Sequence, residues 1–181
     1  MAYYQYLGRD YDGAKRSYNR LIELFPSMYS SYNNLALVYK RNGEYTKEES
    51  FYRLALALEP NNTFVMSNLA VNLAHQERYD EALAIMEKLD SLRPDDPYGD
   101  LHRAKIYASR GDAELALTLL DDALAGMQRL DTLHNIEFRQ DIRLDPAFRV
   151  LRDDPRFNDL LVRYYVDGPE PGINLSGGAG G

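Results

Sequence analysis

Cysteine and tryptophan are absent from the 181 residues, and histidine occurs only at His75, His102 and His134. Without cysteine the chain has no disulfide, no thiolate nucleophile and no cysteine zinc site. None of the three histidines has a second histidine at a spacing that would bind zinc. The sequence therefore predicts no metal site, and surface or groove positions for the histidines.

Motifs that would carry catalysis or hold a cofactor are also missing. There is no Gly-x-x-x-x-Gly-Lys phosphate loop. The only serine near a Gly-x-Ser-x-Gly pattern, Ser176, lies in the glycine-rich C-terminal stretch. Paired aspartates at 95–96, 121–122 and 153–154 are explained by helix capping and solvation rather than by acid–base chemistry. We predict that the chain is not an enzyme and binds no cofactor.

The charge balance and the hydrophobic pattern exclude two further classes of partner. With 21 basic and 28 acidic residues the net charge is −7, which lacks the basic footprint of a nucleic-acid-binding protein. No run approaches the roughly 18 apolar residues of a membrane span, and no secretory leader opens the chain. This favours a cytoplasmic location, but the N-terminus reads as cut from a longer protein, so the compartment stays open.

What the chain does contain is a period. Pro26, Pro60 and Pro94 follow one another at a constant 34-residue interval, and each closes a leucine-containing stretch. A fixed period of roughly 20–50 residues is the signature of a repeat array. Other residues coincide on the same period, namely Tyr11, Tyr45 and Tyr79, then Ala14, Glu48 and Ala82, then Leu24, Leu58 and Leu92.

The second unit shows the pattern best. Its defining residues are Tyr32, Leu35, Ala36, Tyr39, Gly43, Tyr45, Tyr52, Ala55 and Pro60. This pattern resembles the tetratricopeptide repeat, a helix-turn-helix unit. The resemblance implies an all-α fold, an α-solenoid of stacked helix pairs. On this register residues 1–128 form the array, with a partial first repeat at 1–26 and full repeats at about 27–60, 61–94 and 95–128.

A doublet follows the array. Asp145-Pro146-Ala147-Phe148 and Asp154-Pro155-Arg156-Phe157 each combine an N-capping aspartate with a proline suited to a first helical turn. They predict a short helix at 146–151 and a longer one at 155–165. The doublet resembles the closing segment of many bacterial tetratricopeptide proteins. We therefore assign 129–166 to a linker and divergent capping helices, and 167–181 to a flexible tail.

Two positions depart from the family pattern. Glu48 stands where a small residue normally packs between helices, so we expect its carboxylate to tilt into water or find a cation. Glu77 stands where glycine normally closes the turn between paired helices, at some cost to that turn.

The resemblance also implies a binding surface, because the first helix of each pair lines a concave groove. Amides there can hydrogen-bond a peptide backbone, apolar residues can hold side chains, and lysine or arginine can meet a carboxylate or phosphate. Carried over residue by residue, the groove set is Asn33, Asn34, Leu37, Lys40, Arg41, Phe64, Ser67, Asn68, Val71, His75, Tyr98, Leu101, His102 and Lys105.

The predicted function is a non-catalytic protein–protein interaction module that binds a peptide or partner protein in this groove, within a larger bacterial protein or complex. Chaperone-tail binding is not predicted, because that subclass places lysine and a second asparagine where Asn33 and Leu37 stand, and only Asn68 fits. Two alternatives stay open. One is a self-association module, a homo-oligomer formed through the incomplete N-terminal repeat, and the other is the regulatory domain of a signalling enzyme or transcription regulator.

Overall fold

The computed structural model of the chain describes residues 1–94, 96–127, 142 and 145–164. In chain order the helices of these residues are α1 Ala2–Leu7, α2 Tyr11–Leu24, α3 Tyr29–Arg41, α4 Tyr45–Leu58, α5 Thr63–His75, α6 Tyr79–Leu92, α7 Pro97–Arg110, α8 Ala113–Met127, the 3-10 helix Pro146–Leu151 and α9 Pro155–Tyr164. The predicted flexible tail, most of the predicted linker and His134 lie outside the described residues.

The helices pack in consecutive antiparallel pairs, and each pair also contacts the next. α3 packs on α4, α5 on α6 and α7 on α8, while α2 contacts α3 and α4 contacts α5. This arrangement confirms the predicted all-α solenoid. Within the described part of the chain, no helix has both the length and the apolar character needed to cross a membrane.

Polar side chains fix where several helices begin. Asp10 accepts a hydrogen bond from the backbone N–H of Gly13 at 2.9 Å, and Asn62 accepts one from Val65 at 3.1 Å. Such caps satisfy an N–H group that has no partner inside the helix. Because each cap acts within the first turn of its helix, short sequence signals can locate where a helix begins.

The turns inside the helix pairs share one backbone conformation. Arg9, Gly43, Glu77 and Gly111 have φ values of 62°, 70°, 61° and 88°, and they follow one another on the same repeat period. Only glycine enters this left-handed region without strain from a Cβ atom. The expected cost at Glu77 is therefore visible in its backbone.

Replacing Glu77 with glycine should raise the free energy of unfolding by about 1 kcal/mol, because the left-handed strain of an L residue is removed. Urea denaturation measures this change. The matched control is Gly43→Ala, which should destabilise the protein by a similar amount. A Cβ added at Gly43 meets nothing within 4 Å, so this control reports backbone strain alone. A destabilised Glu77→Gly variant would contradict the explanation.

The 3-10 helix and α9, at the C-terminal end of the described residues, share a hydrophobic core with α7 and α8. The 3-10 helix packs against α7, and α9 packs against α8. Both helices begin at the prolines that the sequence singles out, and Asp145 accepts a hydrogen bond from the N–H of Ala147 at 2.9 Å. Arg163 holds α9 to α8 through an ion pair with Asp121 at 3.1 Å. The division of the chain into array and cap stays a prediction.

Candidate functional site

The fourteen predicted groove residues differ in how far solvent reaches them. Arg41 and Phe64 are exposed. Seven are half-buried: Asn34, Leu37, Lys40, Asn68, His75, Tyr98 and His102. Five are buried: Asn33, Ser67, Val71, Leu101 and Lys105. We call the side of α3 and α5 that carries Asn34, Leu37, Lys40, Asn68 and His75 the groove face.

Three asparagines form a hydrogen-bonded row across the groove face. Asn33 donates from Nδ2 to Oδ1 of Asn34 at 3.3 Å, and Asn68 donates from Nδ2 to Oδ1 of Asn33 at 3.4 Å. The second bond joins α3 to α5, which belong to neighbouring repeats. Asn34 and Asn68 each keep part of their hydrogen-bonding capacity, because an amide has two N–H donors and an acceptor oxygen. This amide row can meet a peptide backbone.

Lys40 and His75 lie at the C-terminal ends of α3 and α5. Lys40 is a half-buried residue, and among the residues that the structure describes no carboxylate lies within ion-pair distance of its ammonium. The His75 ring stacks on Tyr45 with centroids 5.1 Å apart. Burial, and then the positive charge of Lys40, lower the pKa of His75. His75 is therefore a neutral hydrogen-bonding group near pH 7, and Lys40 supplies the positive charge.

Arg41 has a neighbour that the sequence analysis missed. Its Nε donates to the hydroxyl oxygen of Tyr6 at 3.0 Å, and its guanidinium carbon lies 5.9 Å from the centre of that ring. Tyr6 belongs to α1, in the partial first repeat. The signal was present, since Tyr6 falls one full period before Lys40 and so occupies the same position in its repeat. The groove set should have been extended into α1.

At α7 the structure corrects the expectation of an open groove. Lys105 was expected to meet a ligand anion, but its ammonium lies 2.8 Å from Oδ2 of Asp145 and only 4% of either side chain is exposed. Leu101 is likewise buried, in the core shared by α7, α8 and the C-terminal helices. The reason is that the 3-10 helix lies against α7. The accessible groove residues therefore concentrate on α3 and α5.

Burial and charge act in opposite directions on Asp145. Burial alone would raise the pKa of this carboxyl, but the charge of Lys105 and its hydrogen bond outweigh burial and hold the pKa below its usual range. Asp145 is therefore an anion near pH 7. It pairs with Lys105, and the positive charge of Lys40 on α3 also acts on it from a greater distance.

Two open clefts in the described structure lie away from the groove face. One, of about 360 Å³, is lined by residues of α8 and α9. The other, of about 710 Å³, follows the loop between α4 and α5 and includes Phe64 as its one predicted groove residue. Among the described residues, no three histidine, aspartate or glutamate side chains come together as a metal site.

Comparison with known proteins identifies the repeat. Two family models, both described as tetratricopeptide repeat, match residues 2–63 and 65–89. The chain is a tetratricopeptide repeat protein. Repeats of this family generally serve as non-catalytic interaction modules, so the chain is a protein–protein interaction module. Among curated proteins, it is similar to the TPR repeat-containing thioredoxin TTL4 of Arabidopsis thaliana, at 35% identity over 100 residues. The match covers 51% of this chain and 14% of that relative's length.

Two solved structures share the tetratricopeptide fold. The MamA RS-1 ArsTM double mutant superposes with a TM-score of 0.59 at 15% identity, covering 73% of this chain and 74% of the other. YrrB, described as a TPR protein with an unusual peptide-binding site, superposes with a TM-score of 0.53 at 18% identity. That match covers 92% of this chain and 84% of YrrB. At these identities the likeness concerns the fold.

Proposed function

We propose that this tetratricopeptide protein binds an extended, acidic peptide segment of a partner protein along the groove face of α3 and α5. The observation that carries the proposal is Lys40, a half-buried residue on the groove face whose ammonium has no ion-pair partner among the described residues. An ammonium that has no ion-pair partner is available to a carboxylate of a ligand, with which it forms a charge-assisted hydrogen bond.

The remaining groups on the groove face suit a peptide. The amide row of Asn33, Asn34 and Asn68 lies on the same helices as Lys40 and offers donors and acceptors to a main chain. Leu37 is half-buried and offers an apolar contact between the amide row and the charge. YrrB, which shares the fold, is described as having a peptide-binding site, and this likeness supports the same class of ligand here.

The test is selection from a phage-displayed library of random short peptides, followed by affinity measurement with the selected peptides. Wild type should select peptides that contain acidic residues. Lys40→Glu should weaken their binding tenfold or more, because a hydrogen bond to a charged group contributes about 1.5–3 kcal/mol. Asn68→Ala should also weaken binding. Added salt should weaken the wild-type complex, since ion pairs near solvent are screened.

Lys88→Glu is the matched control, because Lys88 is an exposed lysine on α6, a second helix of its repeat pair. It makes the same charge change outside the groove face and should leave affinity unchanged. Lys105→Glu is unsuitable here, since it would place two carboxylates together in a buried site. Equal binding by wild type and Lys40→Glu would contradict the proposal and favour the exposed N-terminal side chains Tyr3, Tyr4 and Leu7 as the interface.

The C-terminal segment has a separate proposed role. The 3-10 helix and α9 act as the cap of the array, because terminal repeats would otherwise leave an apolar face in water. Phe148 and Leu151 of the 3-10 helix and Phe157 and Leu160 of α9 are buried in the core that includes α7 and α8. Membership of a larger bacterial protein stays a prediction.

A further inference from the structure

One buried position breaks the symmetry of the repeats. Ala14, Ala82 and Ala116 occupy equivalent places on the repeat period, and each is fully buried. Glu48 occupies the same place in the second repeat and is also fully buried. The expectation that its carboxylate tilts into water or pairs with a cation is wrong. The other three repeats place a methyl group at this helix junction, and the second repeat places a carboxyl group there.

By hydrogen-bond geometry the Glu48 carboxyl has no partner among the described residues, although the amide of Asn72 and the hydroxyl of Tyr52 lie close enough to favour its ionised form. Neither of its oxygens is satisfied, and the hydroxyl of Tyr52, one turn later on α4, is also unsatisfied and fully buried. Asn72 of α5 lies beside the carboxyl but donates to the carbonyl oxygen of Tyr45 at 3.0 Å. An ionised carboxylate without partners is strongly disfavoured in such a place. The neutral acid suits this site.

Charged and polar groups on α3, α4 and α5 surround Glu48 and affect its pKa. Burial is the largest effect, and it raises the pKa of Glu48 to about 7. Asn72 of α5, then Lys40 of α3 from a distance and Tyr52 of α4, favour the ionised form but do not outweigh burial. The proton is therefore exchanged within the physiological range rather than near the ordinary glutamate pKa.

We propose that Glu48 makes the packing of α3, α4 and α5 proton-sensitive: the neutral carboxyl keeps α4 packed between its neighbours, and ionisation loosens this joint. A change in this packing also affects the groove face, because α3 carries Asn33 and Asn34 and α5 carries Asn68. Loosening the joint changes the spacing of the two helices that share the amide row. The inference concerns packing and stands whether or not a peptide binds there.

The sign of the pH effect follows from proton binding. Above the unfolded-state pKa near 4.5 the unfolded chain loses this proton, while the folded chain keeps it until about pH 7. Stability from this group therefore falls as the pH rises between these values and is constant at higher pH. Between pH 5 and pH 8 the unfolding equilibrium constant should increase on the order of tenfold or more because of Glu48.

Urea denaturation at pH 5 and pH 8 tests the inference, with wild type compared with Glu48→Gln. The glutamine keeps the shape but cannot titrate, so it should lose the tenfold change that wild type shows. Subtracting one protein from the other removes contributions from His75 and the remaining titrating groups. Glu48→Ala, which restores the residue of the other repeats, should behave like the glutamine variant and serves if that variant does not fold.

The control is Glu87→Gln on α6, an exposed glutamate on the second helix of the next repeat. It should keep the wild-type pH dependence. Amide hydrogen exchange, corrected for the intrinsic effect of pH on the exchange rate, locates the change in the structure. In wild type, the backbone amides of α3, α4 and α5 should lose protection at pH 8 relative to those of α8. In Glu48→Gln they should not. The same pH dependence in wild type and Glu48→Gln, or an equal loss of protection in α8, would overturn the inference.

Discussion

Replacing Lys105 with methionine should lower the free energy of unfolding by about 3–5 kcal/mol, although no ligand and no catalytic group is involved. The substitution keeps the length of the side chain and removes its charge. Asp145 then remains buried, and its Oδ2 has lost the Lys105 ammonium, which lies 2.8 Å away in wild type. The large effect reflects the carboxylate that is left behind, rather than the net contribution of the ion pair to stability.

The double variant Lys105→Met with Asp145→Asn separates these two quantities. Asparagine retains an oxygen that accepts the N–H of Ala147 but carries no charge. The double variant should recover most of the stability that the single variant loses. Urea denaturation at pH 7 measures both. At lower pH the difference between wild type and Lys105→Met should shrink. Without Lys105, burial favours the neutral acid, so Asp145 of the variant takes up its proton first, and wild type loses the charge of Asp145 only as the pH falls through its lowered pKa.

An exposed ion pair provides the comparison. Arg20 and Glu23 lie 2.8 Å apart on α2, but 67% and 64% of their side chains are exposed. Arg20→Met should change stability by less than about 1 kcal/mol, because solvent already screens this pair. If Lys105→Met and Arg20→Met had equal effects, the buried pair would not hold the 3-10 helix to α7 as we describe.

The parts of the fold that could be predicted depend on short-range signals. The repeat period predicts the helix pairs, and the family's glycine position predicts the strained turn at Glu77, whereas the left-handed residue Arg9 was not predicted. Asp145 and Pro146 gave the start of the 3-10 helix, because a cap and a first-turn proline act over a short stretch of chain. The cap and the first-turn proline are encoded in residues that are neighbours along the chain, whereas the helix pairs are encoded in a pattern that recurs every 34 residues.

The corrected features depend on which distant segments pack together. Lys105 and Asp145 are far apart along the chain, and nothing in either local sequence indicates that they pair. Glu48 illustrates a different limit. Its departure from alanine was visible, but whether a carboxylate turns outward or stays buried depends on the space between α3, α4 and α5. Residue type alone favoured the exposed position, which the structure does not show.

The groove set was predicted from repeat register, and register places residues on a helix without showing what covers that helix. It placed Asn33, Asn34 and Asn68 on the first helices of neighbouring repeats, where a hydrogen bond joins α3 to α5, and their role in binding stays a prediction. It failed to see that a segment from outside the repeats covers α7, so Leu101 and Lys105 are buried. Whether the remaining residues bind a peptide is the subject of the Lys40 experiment.

Phe148→Ala should lower the free energy of unfolding by about 3–5 kcal/mol and thereby test the proposed cap. The ring is fully buried, and its centroid lies 5.9 Å from that of Phe157 on α9. The substitution leaves a cavity in the core that these helices share with α7 and α8. Val150→Ala is the matched control, because Val150 is on the same 3-10 helix but is 60% exposed, and it should change stability by less than about 0.5 kcal/mol. Urea denaturation measures both variants. Equal effects would show that the C-terminal segment contacts the array without stabilising it. The expected difference means that the repeats and the segment after them unfold as one unit.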